Sequence, residues 1–320
     1  MSIFQERGYL LVLGEKYKFT KLEREQLSKR FDALEMILYK DKDPEVTIDA
    51  IKKSISSRSP TLIVLNTKTK VDDAVIRFLT NINLKTSKKQ LKLVSVEHFL
   101  EEYLYKCYIP GDNNDLHYLD DIQGYTRFAL FQKKIVDYVA LFFLFFLFLF
   151  FRYITKKRID KESPGSLYFK QLRVGLNNED FWCIKFRSMH EHNAEEDVRT
   201  ATKEDNRKFA WGDIMRKTRI DELPQLFNIL KGEMHLIGPR AEWNRLAQEY
   251  EKEIPYYNQR HIVRPGITGW AQVMFVEGRS KDDTRQKLMY DLYYIKHWSI
   301  WLEIKVIWKT VLVVIGRRGI

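Results

Sequence analysis

Four short apolar runs punctuate the first third of the chain: Tyr9–Leu13, Leu34–Tyr39, Thr61–Leu65 and Leu91–Val96. Between the later ones, residues 71–82 place Val71, Val75, Phe78 and Leu79 at helical spacing, and residues 97–105 do the same with Phe99, Leu100, Tyr103 and Leu104. Lys40 to Pro44 reads as a loop. Strands alternating with helices predict a small, mostly parallel sheet, a Rossmann-like α/β unit over residues 1–128. Gly14 follows the first strand, but no G-x-G-x-x-G accompanies it. The unit therefore reads as a structural or regulatory module, with a dimerising role and a nucleotide ligand both left open.

The pattern changes after the polar stretch Pro110–Asp115. Residues 138–151 are apolar without a single charge, flanked by Lys133, Lys134 and Asp137 on one side and Arg152, Lys156, Lys157 and Arg158 on the other. As a helix this run covers roughly 21 Å, short of a hydrocarbon core of roughly 30 Å. It carries no polar face of the kind a surface helix shows. A buried helix of a soluble protein is one reading. Cations at both ends favour insertion into a membrane over residues 129–158, with both ends on the cytoplasmic side and Lys and Arg reaching the headgroups. Residues 290–314 hold Tyr290, Tyr293, Tyr294, Trp298, Trp301 and Trp308 among Ile, Val and Lys, which suits either an interfacial helix or an amphipathic core helix.

Composition narrows the class. Lys and Arg number 54 against 43 Asp and Glu, a net charge of +11, which favours an anionic partner: a phosphorylated substrate, an anionic leaflet or nucleic acid. No nucleic-acid motif is present, and the 138–151 run fits poorly with that partner. Two cysteines cannot build a disulfide framework or a four-thiolate zinc site, and the first residues lack the apolar core of a signal peptide, so a reducing cytoplasmic setting is expected.

The chemistry concentrates in residues 159–320. Apolar positions 223, 226, 227, 229 and 230 predict a helix that stops at Gly232, with Pro224 in its first turn and Asp221 at or beside its N-cap. Asp221 and Glu222 are adjacent, so they point about 100° apart and cannot serve one partner alike. One can attack an electrophile while the other holds a metal; a plain capping acid is the simpler reading. Lys185, Arg187, Arg216, Arg219, Arg240 and Arg264 surround the pair in sequence. The turns at 236–240 and 264–269 can bring backbone N–H groups and guanidinium forks to phosphate oxygens. Cations and carboxylates without a His or Cys cluster fit magnesium-assisted phosphoryl chemistry.

Six ordered motifs carry a resemblance: Ser163-Pro-Gly-Ser-Leu-Tyr-Phe-Lys-Gln171, Arg173-Val-Gly175, Lys185-Phe-Arg-Ser-Met189, Asp221-Glu-Leu-Pro-Gln-Leu-Phe-Asn228, Leu236-Ile-Gly-Pro-Arg240 and Arg264-Pro-Gly-Ile-Thr-Gly-Trp-Ala-Gln-Val273. Over about residues 128–320 they resemble the bacterial sugar transferase family, the monotopic polyprenyl-phosphate phosphoglycosyl transferases, in a layout similar to initiating enzymes of exopolysaccharide, capsule or O-antigen synthesis. The resemblance implies an α+β membrane-associated catalytic domain over 159–320, entered by a re-entrant helix and closed by interfacial amphipathic helices. It implies transfer of a sugar-1-phosphate from a UDP-sugar to undecaprenyl phosphate at the cytoplasmic face of the bacterial inner membrane, in contact with its lipid, with release of UMP. Asp221 would be the nucleophile, Glu222 the ligand of Mg²⁺, and Lys185, Arg187, Arg216, Arg240 and Arg264 the phosphate contacts. A catalytically silent membrane scaffold is the alternative. Two departures stand out. The family's Ser-Pro bend would fall near Leu149-Phe150, where no proline occurs, and its Pro-Arg-Pro turn is Pro239-Arg240-Ala241, which is expected to loosen Arg240.

Overall fold

The computed structural model describes residues 8–39, 43–57, 60–85, 91–111, 120–190, 207–275 and 280–316. Most of the polar stretch after Pro110 lies outside them. The chain forms two compact units, Met1–Tyr108 and Ile109–Ile320. The division falls earlier than residue 128 because the residues just before the apolar helix are held by the second unit. Arg285 donates to the Ile109 carbonyl at 2.7 Å, and Lys296 pairs with Asp121 at 3.0 Å.

In the first unit, β1 (Tyr9–Leu13), β2 (Ala33–Ile37), β3 (Leu62–Leu65) and β4 (Lys92–Ser95) form one parallel sheet in the order β2-β1-β3-β4. Central β1 is buried throughout, as its unbroken apolar run requires. Helices α1 (Lys21–Ser28), α2 (Pro44–Ser57), α3 (Asp73–Lys85) and α4 (Val96–Phe99, continued by a π turn to Leu104) complete the alternation. The sequence reading anticipated α3 and the α4 segment but neither α1 nor α2. Thr20 and Glu23 form a capping box that opens α1. Pro44, read as part of a loop, is the first residue of α2, where its missing N–H costs nothing.

Open α/β sheets take ligands where strand order reverses, here between the carboxyl ends of β1 and β3. That crevice is filled by Asn66, whose side chain accepts from the Tyr17 N–H at 2.7 Å and donates to the carbonyls of Gly14 (3.1 Å) and Tyr17 (2.9 Å). Gly14 takes a left-handed φ of 99°, and a Cβ there would lie 2.5 Å from the Asn66 carbonyl. The glycine thus serves a close approach of two chain segments. Replacing Asn66 with Ala removes the partner of three backbone groups, one buried and two half-buried, so Asn66→Ala is expected to destabilise the first unit by about 2 kcal/mol, read from its urea transition.

The second unit is built on α5 (Arg127–Glu162), one uninterrupted helix of 36 residues that passes through Leu149 and Phe150. One stripe of it is buried: Ala129, Lys133, Asp137, Leu141, Phe148, Thr155 and Ile159, spaced by fours and sevens. The stripe docks along the whole helix. Near the start, Lys133 donates to Glu303 (2.7 Å), Tyr294 (2.8 Å) and the Ile237 carbonyl (2.9 Å), while Asp137 pairs with His235 (2.6 Å) and accepts from the Leu236 N–H (2.8 Å). In the middle, Phe148 stacks on Phe186 at 5.8 Å and meets Phe227 edge-on at 5.2 Å. Near the end, Trp211 donates to Thr155 at 3.2 Å and, through its backbone, to Glu162 at 2.7 Å. Lys133, expected to reach the headgroups, is instead buried within protein beside Asp137, because acceptors and donors from residues 235–237, Tyr294 and Glu303 converge on them. The rest of α5, including Phe142, Phe143, Phe145, Phe146 and Phe150, is exposed.

Strands β5 (Tyr168–Val174) and β6 (Asp180–Phe186) form an antiparallel hairpin. Short β7 (His235–Ile237) and β8 (Gly266–Thr268) pair in parallel. Around them lie α6 (Ala210–Thr218), α7 (Leu226–Leu230), α8 (Asn244–Glu253), α9 (Trp270–Met274), α10 (Lys281–Lys296) and α11 (Ile300–Ile315). The aromatic C-terminal segment divides between two roles. Tyr290 and Tyr294 on α10 are core, whereas Trp301, Ile304, Trp308, Val311 and Leu312 on α11 are exposed.

Candidate active site

Arg219 closes α6 in the left-handed conformation, φ 61°, and the chain then enters a 3₁₀ turn over Ile220–Gln225 that leads directly into α7. Asp221 and Glu222 sit inside this turn, both buried, and neither caps a helix. Pro224 is accommodated within the turn, and Gly232, φ 77°, stops α7 as the sequence indicates. Asn228 fixes the pair against β6. Its side-chain oxygen accepts from the Ile184 N–H at 3.1 Å, and its amide donates to the Trp182 carbonyl at 2.8 Å and to Glu233 at 2.7 Å. A side chain thus completes the ladder of a strand edge, and the strand so held carries Lys185.

Three cations converge on one oxygen. Lys185 donates to Glu222 Oε1 at 3.1 Å, Arg240 at 3.3 Å, and Arg219 lies 3.6 Å away. They hold the Glu222 carboxyl far below its ordinary range despite its burial. Its other oxygen accepts no hydrogen bond among the described residues. Asp221 differs: burial pushes its carboxyl up, only partly offset by Lys185, Arg216 and Arg219, and the Glu222 charge adds to the rise. Asp221 Oδ1 is buried with no hydrogen-bond partner. Two neighbouring carboxylates are therefore pushed in opposite directions, one neutralised by direct contact and one left under-solvated, which is how environments divide two acids between two roles.

The other expected phosphate contacts are distributed unevenly. Arg216 faces Asp221 through space, half-buried on α6. Arg187 is committed elsewhere: it donates to the carbonyls of Ser163, Ser166 (2.7 Å) and Met189 (3.3 Å) and to the Ser163 hydroxyl (2.7 Å). Its buried fork ties the 163–166 turn to the end of β6. Arg264 is half-buried, and its charge is among those that lower the proton affinity of His235. The turns expected to offer backbone N–H groups use them on each other: Gly238 donates to Thr268 and Gly266 to Pro239, both at 2.9 Å. The glycines permit this contact, since a Cβ on Gly269 would lie 2.1 Å from the Gly238 carbonyl. Arg219 enters the site through its left-handed backbone, a feature that sequence spacing does not reveal.

A Mg²⁺ ion fits this donor set. The unpartnered Asp221 Oδ1 and the free oxygen of Glu222 are hard carboxylate ligands, and such ions are commonly held by one or two carboxylates plus substrate phosphates.

A deep carboxylate dyad ringed by Lys and Arg thus lies in the same unit as a helix with an exposed apolar face. The sequence profile of the bacterial sugar transferases matches residues 128–317, and the chain belongs to that family. It is 47% identical over 165 residues to a UDP-N-acetylgalactosamine-undecaprenyl-phosphate N-acetylgalactosaminephosphotransferase of Aeromonas hydrophila, covering 52% of this chain and 39% of that one. It is 40% identical over 212 residues to a UDP-glucose:undecaprenyl-phosphate glucose-1-phosphate transferase of Escherichia coli (strain K12), covering 65% and 42% respectively. A Caulobacter vibrioides protein of the same description is 38% identical over 182 residues, covering 56% of this chain and 68% of its own. The chain thus spans about two fifths of the length of the first two relatives.

The opposed shifts have opposed consequences for stability. The raised Asp221 carboxyl costs stability once ionised, so at pH 7 Asp221→Asn melts at or above the parent temperature, and the gap closes as pH falls toward the Asp221 pKa. Glu222, held low, contributes stability above its unfolded pKa that is lost as pH falls. Glu222→Gln removes the shared partner of three cations and lowers stability by on the order of 3 kcal/mol at pH 7, checked by thermal unfolding across pH.

Proposed function

We propose that this chain transfers a sugar-1-phosphate from a UDP-sugar to undecaprenyl phosphate with release of UMP. The observation that carries the reading is Asp221: a buried carboxylate with an unpartnered oxygen, in the field of Lys185, Arg216 and Arg219. The names of the Aeromonas, Escherichia and Caulobacter relatives supply the substrate class.

In the first displacement an Asp221 oxygen attacks the sugar-proximal phosphorus. The bond from that phosphorus to the bridging oxygen breaks, and UMP leaves with the electron pair. In the second, a phosphate oxygen of the lipid attacks the same phosphorus and the Asp221 carboxylate is released, giving a sugar diphospholipid. Covalent catalysis lets two bulky substrates use one site in turn. Lys185, Arg219 and Arg240 neutralise Glu222 and leave net positive charge for the diphosphate, without which a carboxylate could not approach it. Mg²⁺ bound by Asp221 or Glu222 with the diphosphate would neutralise charge on the leaving phosphate.

We place the unit at the cytoplasmic face of the inner membrane. Both halves of α5 dock on the same polar body, so the helix lies along that body rather than crossing a bilayer away from it. Its exposed Phe and Leu face, together with Trp301 and Trp308 of α11, forms the lipid-facing surface. This reading leaves the peptide chain on one side without requiring a proline bend.

The deciding experiment incubates purified protein with a panel of UDP-sugars, undecaprenyl phosphate and Mg²⁺, measuring UMP. Turnover is expected with one sugar and lost by at least 10³-fold in Asp221→Asn or on chelation. Radiolabelled donor without lipid acceptor is expected to leave acid-stable label on the parent and none on Asp221→Asn. Undiminished turnover by that variant would remove Asp221 from the mechanism.

A further inference from the structure

Arg240 reaches Glu222 from a segment that lacks the second proline expected to stiffen it, yet four consecutive carbonyls of that segment are held. Pro239 accepts from the Gly266 N–H at 2.9 Å and Glu242 from the Val174 N–H at 3.0 Å. Between them, Arg260 donates to the Arg240 carbonyl at 2.9 Å, and Arg173 donates to the Ala241 carbonyl. Both guanidinium groups are anchored in turn. Arg173 also donates to Gln171 at 2.8 Å. Arg260, buried, donates to the Tyr257 hydroxyl at 2.7 Å and pairs with Asp291 of α10 at 2.8 Å.

We infer that Arg260, braced by Asp291 and Tyr257, is a positioning residue that sets the Arg240 guanidinium against Glu222 by gripping the Arg240 main chain, with Arg173 gripping the next carbonyl. Arg260 is buried, and both its terminal nitrogens are directed at protein atoms with only Nε left unpartnered among the described residues, so it acts through Arg240 and not on substrate. A planar fork suits the task because three partners in different directions need several donors fixed in one plane. A lysine supplies one compact ammonium and cannot reach all three at once. The inference deepens the reaction proposed above and rests on it for its kinetic half. The main-chain half stands apart from any reaction.

The test is a double-mutant cycle with a structural readout. Arg260→Lys is expected to lower kcat/KM for UMP release by about 10- to 100-fold, the range that a small misplacement of a catalytic group produces. In an Arg240→Ala background the same change is expected to cost less than twofold, since the group it positions is gone. Equal fold-losses in both backgrounds would show a general structural role and overturn the inference. Hydrogen exchange is read in parallel. In Arg260→Lys the amides of Gly266 and Val174, which flank the grip, are expected to exchange at least tenfold faster while amides of α5 do not change. Unaltered exchange at both would also overturn it. Should Arg260→Lys fail to fold, Tyr257→Phe, which deletes one brace and keeps the ring, is carried through the same cycle with a smaller loss in the same pattern. A parent protein that releases no UMP from any donor sinks the proposed reaction, and the exchange data then judge the grip alone.

Discussion

Burying a carboxylate is unfavourable unless its charge is met, and the catalytic unit is arranged around that constraint at Glu222. Lys185 comes from β6, Arg219 from the end of α6 and Arg240 from the segment after β7, so one oxygen gathers three chain segments distant in sequence. Removing any one of them leaves the others partly unmatched in a buried setting, which makes the cluster cooperative rather than a sum of pairs. The arrangement also explains how Asp221, one residue away, can be left short of partners. Its neighbour absorbs the nearest cations directly, and Asp221 feels them only through space. A nucleophilic carboxylate needs that condition: enough positive field to be ionised, too few hydrogen bonds to be quenched.

The same logic operates where α5 meets the body. A helix this apolar gains little by docking one more hydrophobic stripe if lipid can cover the same surface, so packing alone would not fix its position. The pairs Lys133–Glu303 and Asp137–His235 supply directional contacts that lipid cannot imitate. Both converge on β7: Lys133 on the Ile237 carbonyl, Asp137 on the Leu236 amide. The segment carrying Arg240 begins immediately after that strand. The depth of the apolar helix and the placement of a cation on Glu222 are thereby set by one short piece of backbone.

Much of this was legible in the sequence because local rules and tertiary structure agree there. The two central strands of the first unit, β1 and β3, are continuous apolar runs, and such runs suit strands covered on both faces. The Asp221-Glu222 pair with Lys185 and Arg240 stands out because buried charges need partners of opposite sign. What the sequence hid depends on direction rather than composition. Lys133 at the edge of an apolar run looks like a headgroup contact, and only the position of Glu303, far along the chain, turns it inward. Arg187 and Arg240 are alike as letters in basic motifs. One is exhausted by the 163–166 turn and the Met189 carbonyl, while the other reaches the dyad. Two amides of the glycine turns, those of Gly238 and Gly266, are taken for a related reason: two tight turns packed together satisfy each other first.

Strand β6 separates two chemically different environments. Successive side chains of a strand point to opposite faces, so adjacent Lys185 and Phe186 look in opposite directions. Lys185 faces Glu222, and Phe186 stacks between Phe148 of α5 and Tyr168 of β5. The strand separates a buried aromatic wall, Phe148, Phe186 and Tyr168, from the charge cluster of the dyad. Phe227, which follows the dyad on α7 and meets Phe148 edge-on, closes the same wall from the other side. A shift of α5 would move Phe148, and with it both the strand that bears Lys185 and the helix that follows Asp221. In the proposed reading, the seating of α5 and the alignment of the dyad are consequently the same packing event.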